Sequence, residues 1–283
     1  MTAPLPSEAP GEAKMQRVVI VGVGLIGASF GLALRKAGFM GSIVGVSSPR
    51  SIAAALERGA IDGGMTLEES VPAADLVFLS QPILAIVETI GRLELLVRPG
   101  TLVTDAGSTK TAIDRAARKY LNSCSFVGGH PMAGKEQRGA EAADADLFGR
   151  RPWVLTQCGD NPVEIELRAW ITKIGAQIVF LDAATHDRLV AWSSHLPQLA
   201  STALAAALHD RQPAAATVAG PGLTDMTRLA LSSYDLWHDI LETNQKEVAA
   251  ALDGYIAQLQ GLRTNIEREF SNGADFACAL RRN

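Results

Sequence analysis

Two groups of residues in this 283-residue chain have the types and spacing to do chemistry. The first is Gly22-Val23-Gly24-Leu25-Ile26-Gly27, a G-x-G-x-x-G spacing directly after the apolar run Val18 to Val21. Gly22 permits a tight turn, Gly24 lets backbone approach a pyrophosphate, and Gly27 lets a new helix press against the strand. The helix N-terminus offers N–H groups and a positive dipole end to phosphates, so Leu25 and Ile26 join the glycines as dinucleotide-binding candidates. The spacing alone is a weak signal; the strand before it and the helical pattern after it raise it. About 20 residues on, where such a fold displays its ribose selector, stand Ser47, Ser48 and Arg50 rather than Asp or Glu. Small hydroxyls beside a cation would accommodate a 2′-phosphate, which makes NADP the expected cofactor and NAD the alternative. The same serines would equally cap a helix starting near Pro49.

The second group carries imidazole, hydroxyl and guanidinium. His130 stands between Gly129 and Pro131 at what reads as the carboxyl end of a central strand. A lone histidine is more often structural than catalytic, but this sheet edge is where a nicotinamide would face. An imidazole of ordinary pKa, about 6.5, would there accept a substrate proton as hydride leaves. Ser108 lies past the neighbouring strand, placed either to bond His130 or a substrate, or to cap a helix over 109–120. Lys110 reads as no more than a surface charge. Farther on, His195 in Ser194-His-Leu-Pro197 sits at a helix entrance. Arg228 falls in a mostly apolar stretch, where a cation wants an internal partner such as Asp225 or an anionic ligand. A guanidinium fork suits a carboxylate.

The elements that must position these groups follow from the apolar pattern. A helix over 28–37 ends at Gly38, and strands are expected at 42–47, 75–79, 101–104 and 125–127. Strands at 153–156 and 177–180 would extend the same sheet around a helix over 162–174. Alternating strands and helices predict an α/β fold: an N-terminal Rossmann-like, doubly wound parallel sheet, followed by an all-α C-terminal domain. The expected division is a disordered tail at 1–14, a dinucleotide-binding domain at 15–182, and a helical substrate and dimerisation domain at 183–283. Val248, Leu252, Tyr255, Leu259, Leu262 and Ile266 recur at helical spacing, either as an internal core or as a helix shared by two subunits. A homodimer is the expectation.

Composition removes other classes. Hydrophobic residues are 47% and charged residues 20%, enough for a core, and the net charge is −4 with Lys and Arg scattered. No basic stripe argues for nucleic acid or a membrane surface. The uncharged stretch from Arg17 to Arg35 is at the short end for a membrane span and contains four glycines. Cys124, Cys158 and Cys278 form no C-x-x-C, as expected of packing cysteines in a cytoplasmic protein, and the five histidines suggest no metal site.

The ordered set Gly22-x-Gly24-x-x-Gly27, Asp105-x-Gly107-Ser108-x-Lys110, His130-Pro-Met-Ala-Gly134 with Glu136, Ser194-His-Leu-Pro197, and Thr227-Arg228 followed by Trp237 spans nearly the whole chain after the tail. It resembles the prephenate and arogenate dehydrogenases of tyrosine biosynthesis. The resemblance implies NAD(P)-dependent oxidative decarboxylation of prephenate to 4-hydroxyphenylpyruvate, or of arogenate to tyrosine. It also implies that His130 polarises or deprotonates the ring hydroxyl, Ser108 orients both, and Arg228 holds a carboxylate with His195 nearby. Glu136 and Trp237 match family positions near the pocket. Gln198 stands where many members have a second histidine, and Lys135 where small hydroxyl residues are common; both bear on the choice of substrate. No appended regulatory domain is expected before the chain ends at Asn283. The competing readings are a β-hydroxyacid dehydrogenase, for which Lys173 and Lys246 lack a supporting motif, and a non-catalytic dinucleotide sensor.

Overall fold

In the computed structural model, which describes residues 15–156, 159 and 161–282, six parallel strands form one sheet. The tail at 1–14 and Cys158 lie outside the described residues. The strands are β1 (Arg17–Val21), β2 (Ser42–Val46), β3 (Gly63–Gly64), β4 (Leu76–Leu79), β5 (Leu102–Asp105) and β6 (Ser125–Val127). Their order is β3-β2-β1-β4-β5-β6, so the winding reverses between β1 and β4. Ligands of such sheets bind beyond the carboxyl ends of the strands at that reversal. β4 and β5 are buried along their whole length, which accounts for the uninterrupted apolar run of β4; in β5 the buried Thr104 and Asp105 are satisfied by hydrogen bonds to the Val127 carbonyl and from the Gly107 N–H.

Two expectations are corrected here. β6 is an edge strand, so His130 does not follow a central one. The chain leaves the large sheet at Gly128 and starts a separate three-stranded sheet, β7 (Gly129–Pro131), β8 (Pro152–Leu155) and β9 (Gln177–Phe180). β7 pairs antiparallel with β8, and β8 parallel with β9; these strands therefore do not extend the large sheet. The crossing needs glycine. A Cβ at Gly128 would lie 2.5 Å from Thr156 Oγ1, and one at Gly129 would lie 2.5 Å from the Asp105 carbonyl oxygen.

Helix α1 (Leu25–Lys36) begins three residues before the expected 28, because Gly24 serves as its N-cap. α2 (Pro49–Glu57) is capped by Ser48, whose Oγ accepts the Ser51 N–H at 3.3 Å, with Pro49 in its first turn. α3 (Leu67–Ser70) carries a Thr66–Glu69 capping box, and α4 (Ile83–Leu93) follows. α5 (Thr111–Tyr120) is preceded by Lys110, so Ser108 does not cap it. Asn161 caps α6 (Pro162–Lys173). The core is aromatic: Phe30 on α1 stacks on Phe78 of β4 with centroids 4.2 Å apart, and Trp153 of β8 packs 5.8 Å from Phe30.

The chain divides into two compact units, the first ending at Asp187 and the second beginning at Arg188. α7 (Ala183–Val190) is followed by a π turn, Ala191–His195, and α8 (Leu196–Arg211). Then come α9 (Pro221–Thr227), α10 (Tyr234–Thr243), α11 (Gln245–Leu262) and α12 (Ile266–Leu280), with 3₁₀ turns at Pro213–Val218 and Arg228–Leu231. The expected single apolar stripe is split: α11 ends at Leu262, Asn265 caps α12, and Ile266 opens it. Ala191, Leu196 and Ala251 form a small core against which Leu252 and Tyr255 pack. Among the described residues no helix is long and apolar enough to cross a membrane.

Candidate active site

The glycine turn separates packing from recognition. Gly22 has φ +92°, and a Cβ there would sit 2.8 Å from Ser80 and Gln81. A Cβ at Gly27 would lie 2.6 Å from Ser80 Oγ and 2.9 Å from Ile20 Cγ2. Both glycines are demanded by the protein's own packing. Gly24 is not: a Cβ there meets nothing within 4 Å. It begins a helix with no side-chain cap and no acidic residue in its first turn. An open glycine at an uncapped helix N-terminus fits the pyrophosphate of a dinucleotide. Past β2, Ser47, Ser48 and Arg50 are all exposed. Ser48 is engaged as the cap of α2, while Arg50 extends into solvent 3.9 Å from Glu141.

His130 lies in β7 opposite Val154, 9% exposed. Its Nδ1 is 2.8 Å from Nε2 of His186, and Nδ1 of His186 is 2.8 Å from Oδ1 of Asp187. Asp187 also accepts the backbone N–H groups of Lys110 at 2.7 Å and Thr111 at 2.8 Å. Burial pushes the Asp187 carboxyl up, but hydrogen bonds from His186, Thr111 and the backbone outweigh it and hold it below the usual carboxylate value.

Lys110 is not a surface charge. It is 1% exposed, pairs with the buried Asp105 carboxylate, and donates to the Gly129 carbonyl at 2.5 Å. Burial pushes its ammonium below the usual lysine value, against the opposing pull of Asp105. Asp105 accepts the N–H groups of Gly107 at 2.7 Å and Gly129 at 3.0 Å. Lys110 therefore ties the loop after β5 to the strand of His130 and to the helix of His186 and Asp187. Ser108 lies half-buried in that loop, but His130 Nδ1 is engaged by His186. Glu136 is exposed in the segment after β7, where Lys135 pairs with Asp144 at 2.7 Å. Sequence reasoning missed His186 and Asp187. Their signal was two ionisable neighbours at the start of a segment read only as alanine-rich helix.

In the helical unit, His195 ends the π turn and is 1% exposed. Pro197, lacking an N–H, stands in the first turn of α8 where the regular ladder resumes. His195 Nδ1 lies 3.3 Å from Asn244 Nδ2, and its ring meets Trp237 edge-on at 5.9 Å. The Trp237 Nε1 is buried and, among the described residues, has no hydrogen-bond partner. Arg228 is exposed, not set in apolar surroundings as its sequence neighbours imply. It opens a 3₁₀ turn that α8 holds through Gln198 Nε2 to the Leu229 carbonyl at 2.8 Å and Ala230 N–H to Ser201 Oγ at 3.1 Å. Gln198, the departure from the family pattern, thus anchors the turn that carries Arg228. Among the described residues no three His, Cys, Asp or Glu side chains group so as to hold a metal.

Residues 30–180 match the family model described as prephenate dehydrogenase, nucleotide-binding domain, and residues 182–280 match prephenate dehydrogenase, dimerization domain. The chain belongs to the prephenate dehydrogenase family. The first match begins just after the glycine turn, whose case rests on its geometry. Within the family, a prephenate dehydrogenase of Lactococcus lactis is 30% identical over 92% of this chain and 74% of its own length. The crystal structure of the A. aeolicus prephenate dehydrogenase in complex with hydroxyphenyl propionate and NAD+ is 31% identical, covers 95% of this chain and 96% of that one, and gives a TM-score of 0.83. The Synechocystis arogenate dehydrogenase is 30% identical, with 94% and 96% covered and a TM-score of 0.76. This family member is thus an oxidoreductase of the prephenate/arogenate dehydrogenase type.

Proposed function

We propose that this chain catalyses the oxidative decarboxylation of prephenate to 4-hydroxyphenylpyruvate, with NADP as the preferred dinucleotide. One observation above others carries the reading: both halves of the family pattern match in order along the chain, with His130 in the first and Arg228 in the second. The dinucleotide, when bound, supplies the hydride acceptor. On the turn that Gly22 and Gly27 shape by packing, Gly24 and the N–H groups of Leu25 and Ile26 would hold its pyrophosphate, and Ser47, Ser48 and Arg50 would receive the ribose phosphate. His130 takes the proton of the ring hydroxyl, and Ser108 orients that hydroxyl. Arg228 binds a substrate carboxylate through its planar fork, with His195, Trp237 and Glu136 shaping the pocket around the acid. Loss of carbon dioxide leaves an aromatic ring, which makes the step strongly downhill. Residues 15–182 form the dinucleotide domain and 183–283 the substrate and dimerisation domain, through which two copies pair. Support for the pairing comes from the large apolar side chains on the helical unit, such as Leu231, Phe270 and Phe276, at 88%, 70% and 72% exposure.

The likeness to an arogenate dehydrogenase supports arogenate as the second reading, at nearly the same identity. Initial rates with prephenate and arogenate, each with NAD and NADP, test both through the absorbance of reduced nicotinamide. Prephenate with NADP is expected to be fastest. A faster rate with arogenate replaces the first reading by the second, and no reduction in any of the four mixtures ends both.

A further inference from the structure

His130, His186 and Asp187 form a file of hydrogen bonds, each link 2.8 Å, in the first unit. An ionised carboxylate only accepts, and Asp187 has three N–H groups directed at it: His186 Nδ1 and the backbones of Lys110 and Thr111. The proton of His186 therefore sits on Nδ1. A neutral His186 then presents a lone pair at Nε2, and His130 must meet it with an N–H at Nδ1. The lone pair of His130 is left on Nε2. We propose that His186 and Asp187 are positioning residues for the reaction, holding His130 in the one neutral tautomer whose Nε2 accepts the substrate's hydroxyl proton. The proposal rests on the reading of His130 as the base.

The same file gives the charge a destination. As Nε2 takes the substrate proton, the Nδ1 proton passes to Nε2 of His186. His130 ends neutral with its proton on Nε2, and the cation rests on His186 against the Asp187 carboxylate. One proton enters the file and none leaves it. Lys110 keeps the parts in register, since its backbone donates to Asp187 and its ammonium to the carbonyl of Gly129, the residue before His130.

Nitrogen-15 NMR of histidine-labelled protein, without substrate or cofactor at about pH 8, above the model-peptide imidazole value of about 6.5, reads the tautomer directly. The His130 signals are assigned by their loss in His130→Asn. Wild type is expected to show His130 protonated at Nδ1 and bare at Nε2. His186→Gln, whose amide oxygen takes the Nδ1 proton, keeps that form, and His186→Leu loses it. A proton on Nε2 in wild type, or an unchanged tautomer in His186→Leu, overturns the proposal. Should His186→Leu not fold, the wild-type and His186→Gln spectra still decide. This readout needs no turnover, so it stands apart from any failure of the proposed activity. With whichever substrate is turned over, kcat should fall about 10–100-fold in His186→Leu at a KM within about twofold, and recover to within about tenfold of wild type in His186→Gln. Equal losses in both variants, or a loss confined to KM, would leave His186 a scaffold residue and overturn the proposal.

Discussion

His130 and Arg228 carry different duties, and kinetics can tell them apart. His130→Asn should lower kcat by about 10²–10⁴-fold with KM little changed, the range for loss of a general base. Arg228→Ala should raise KM about 10–100-fold, the worth of a charge-assisted hydrogen bond, with a smaller effect on kcat. Steady-state rates on both variants check the split; unchanged turnover in the first removes His130 from the mechanism. Asp187 gives a pH prediction. Its folded value lies below the ordinary carboxylate value of about 3.9, because donors from His186, Thr111 and the backbone outweigh burial. A lowered value stabilises the fold above about pH 4, and that contribution is lost as pH falls through the folded value. The urea midpoints of wild type and Asp187→Asn should therefore differ most near neutral pH and converge in acid. His130 stood out in the sequence as a candidate through its flanking Gly129 and Pro131 and its place in the motif order. His186 did not, because its partner lies 56 residues away and only folding joins them. Lys110 was misread for a like reason: nothing local says that a lysine will be buried against Asp105.

At the scale of elements, the last two glycines of the turn should respond oppositely. Gly24→Ala meets open space at φ −93°, so stability should stay within about 0.5 kcal/mol of wild type while the cofactor KM rises about tenfold or more. Gly27→Ala drives a methyl against Ser80 and Ile20, and should cost about 1–3 kcal/mol of stability. Thermal melts with cofactor titrations check both; a destabilised Gly24→Ala with normal cofactor binding would reverse their roles. β3 (Gly63–Gly64) carries no apolar run and was not foreseen, whereas β1, β2, β4 and β5 were readable because each holds a buried aliphatic stretch, and the start of α2 because Ser48-Pro49 is a capping sequence. β7 was not. Three residues, Gly129–Pro131, have no pattern of their own and become a strand only by pairing with β8. The π turn at Ala191–His195 likewise leaves only Pro197 as a trace.

For the whole molecule, the loss of strand signals from Thr185 onward announced a helical C-terminal part, and the structure has one. How that part covers itself is less visible from sequence. Its helices bury few large side chains and leave Phe270 and Phe276 of α12 mostly open. The double variant Phe270→Glu, Phe276→Glu should therefore halve the mass measured by light scattering, while an unaltered mass would move the pairing face off α12. Substrate choice was not legible, since an apolar pattern records folds, whereas prephenate and arogenate differ in a single substituent that a few side chains must judge.

A π turn holds one residue more than the regular helix it interrupts. Removing any residue from Ala191–His195 would restore an unbroken ladder and look harmless in an alignment. It would leave α8 in nearly the same phase about its axis, because five residues in the wide turn sweep about as far as four in a regular one, and Gln198 and Ser201 would keep the carbonyl and N–H they now grip at Leu229 and Ala230. The turn thus takes up one residue of length: winding it into regular helix with all five residues kept would rotate α8 by about 100° and carry the arginine's support off its turn without touching the arginine.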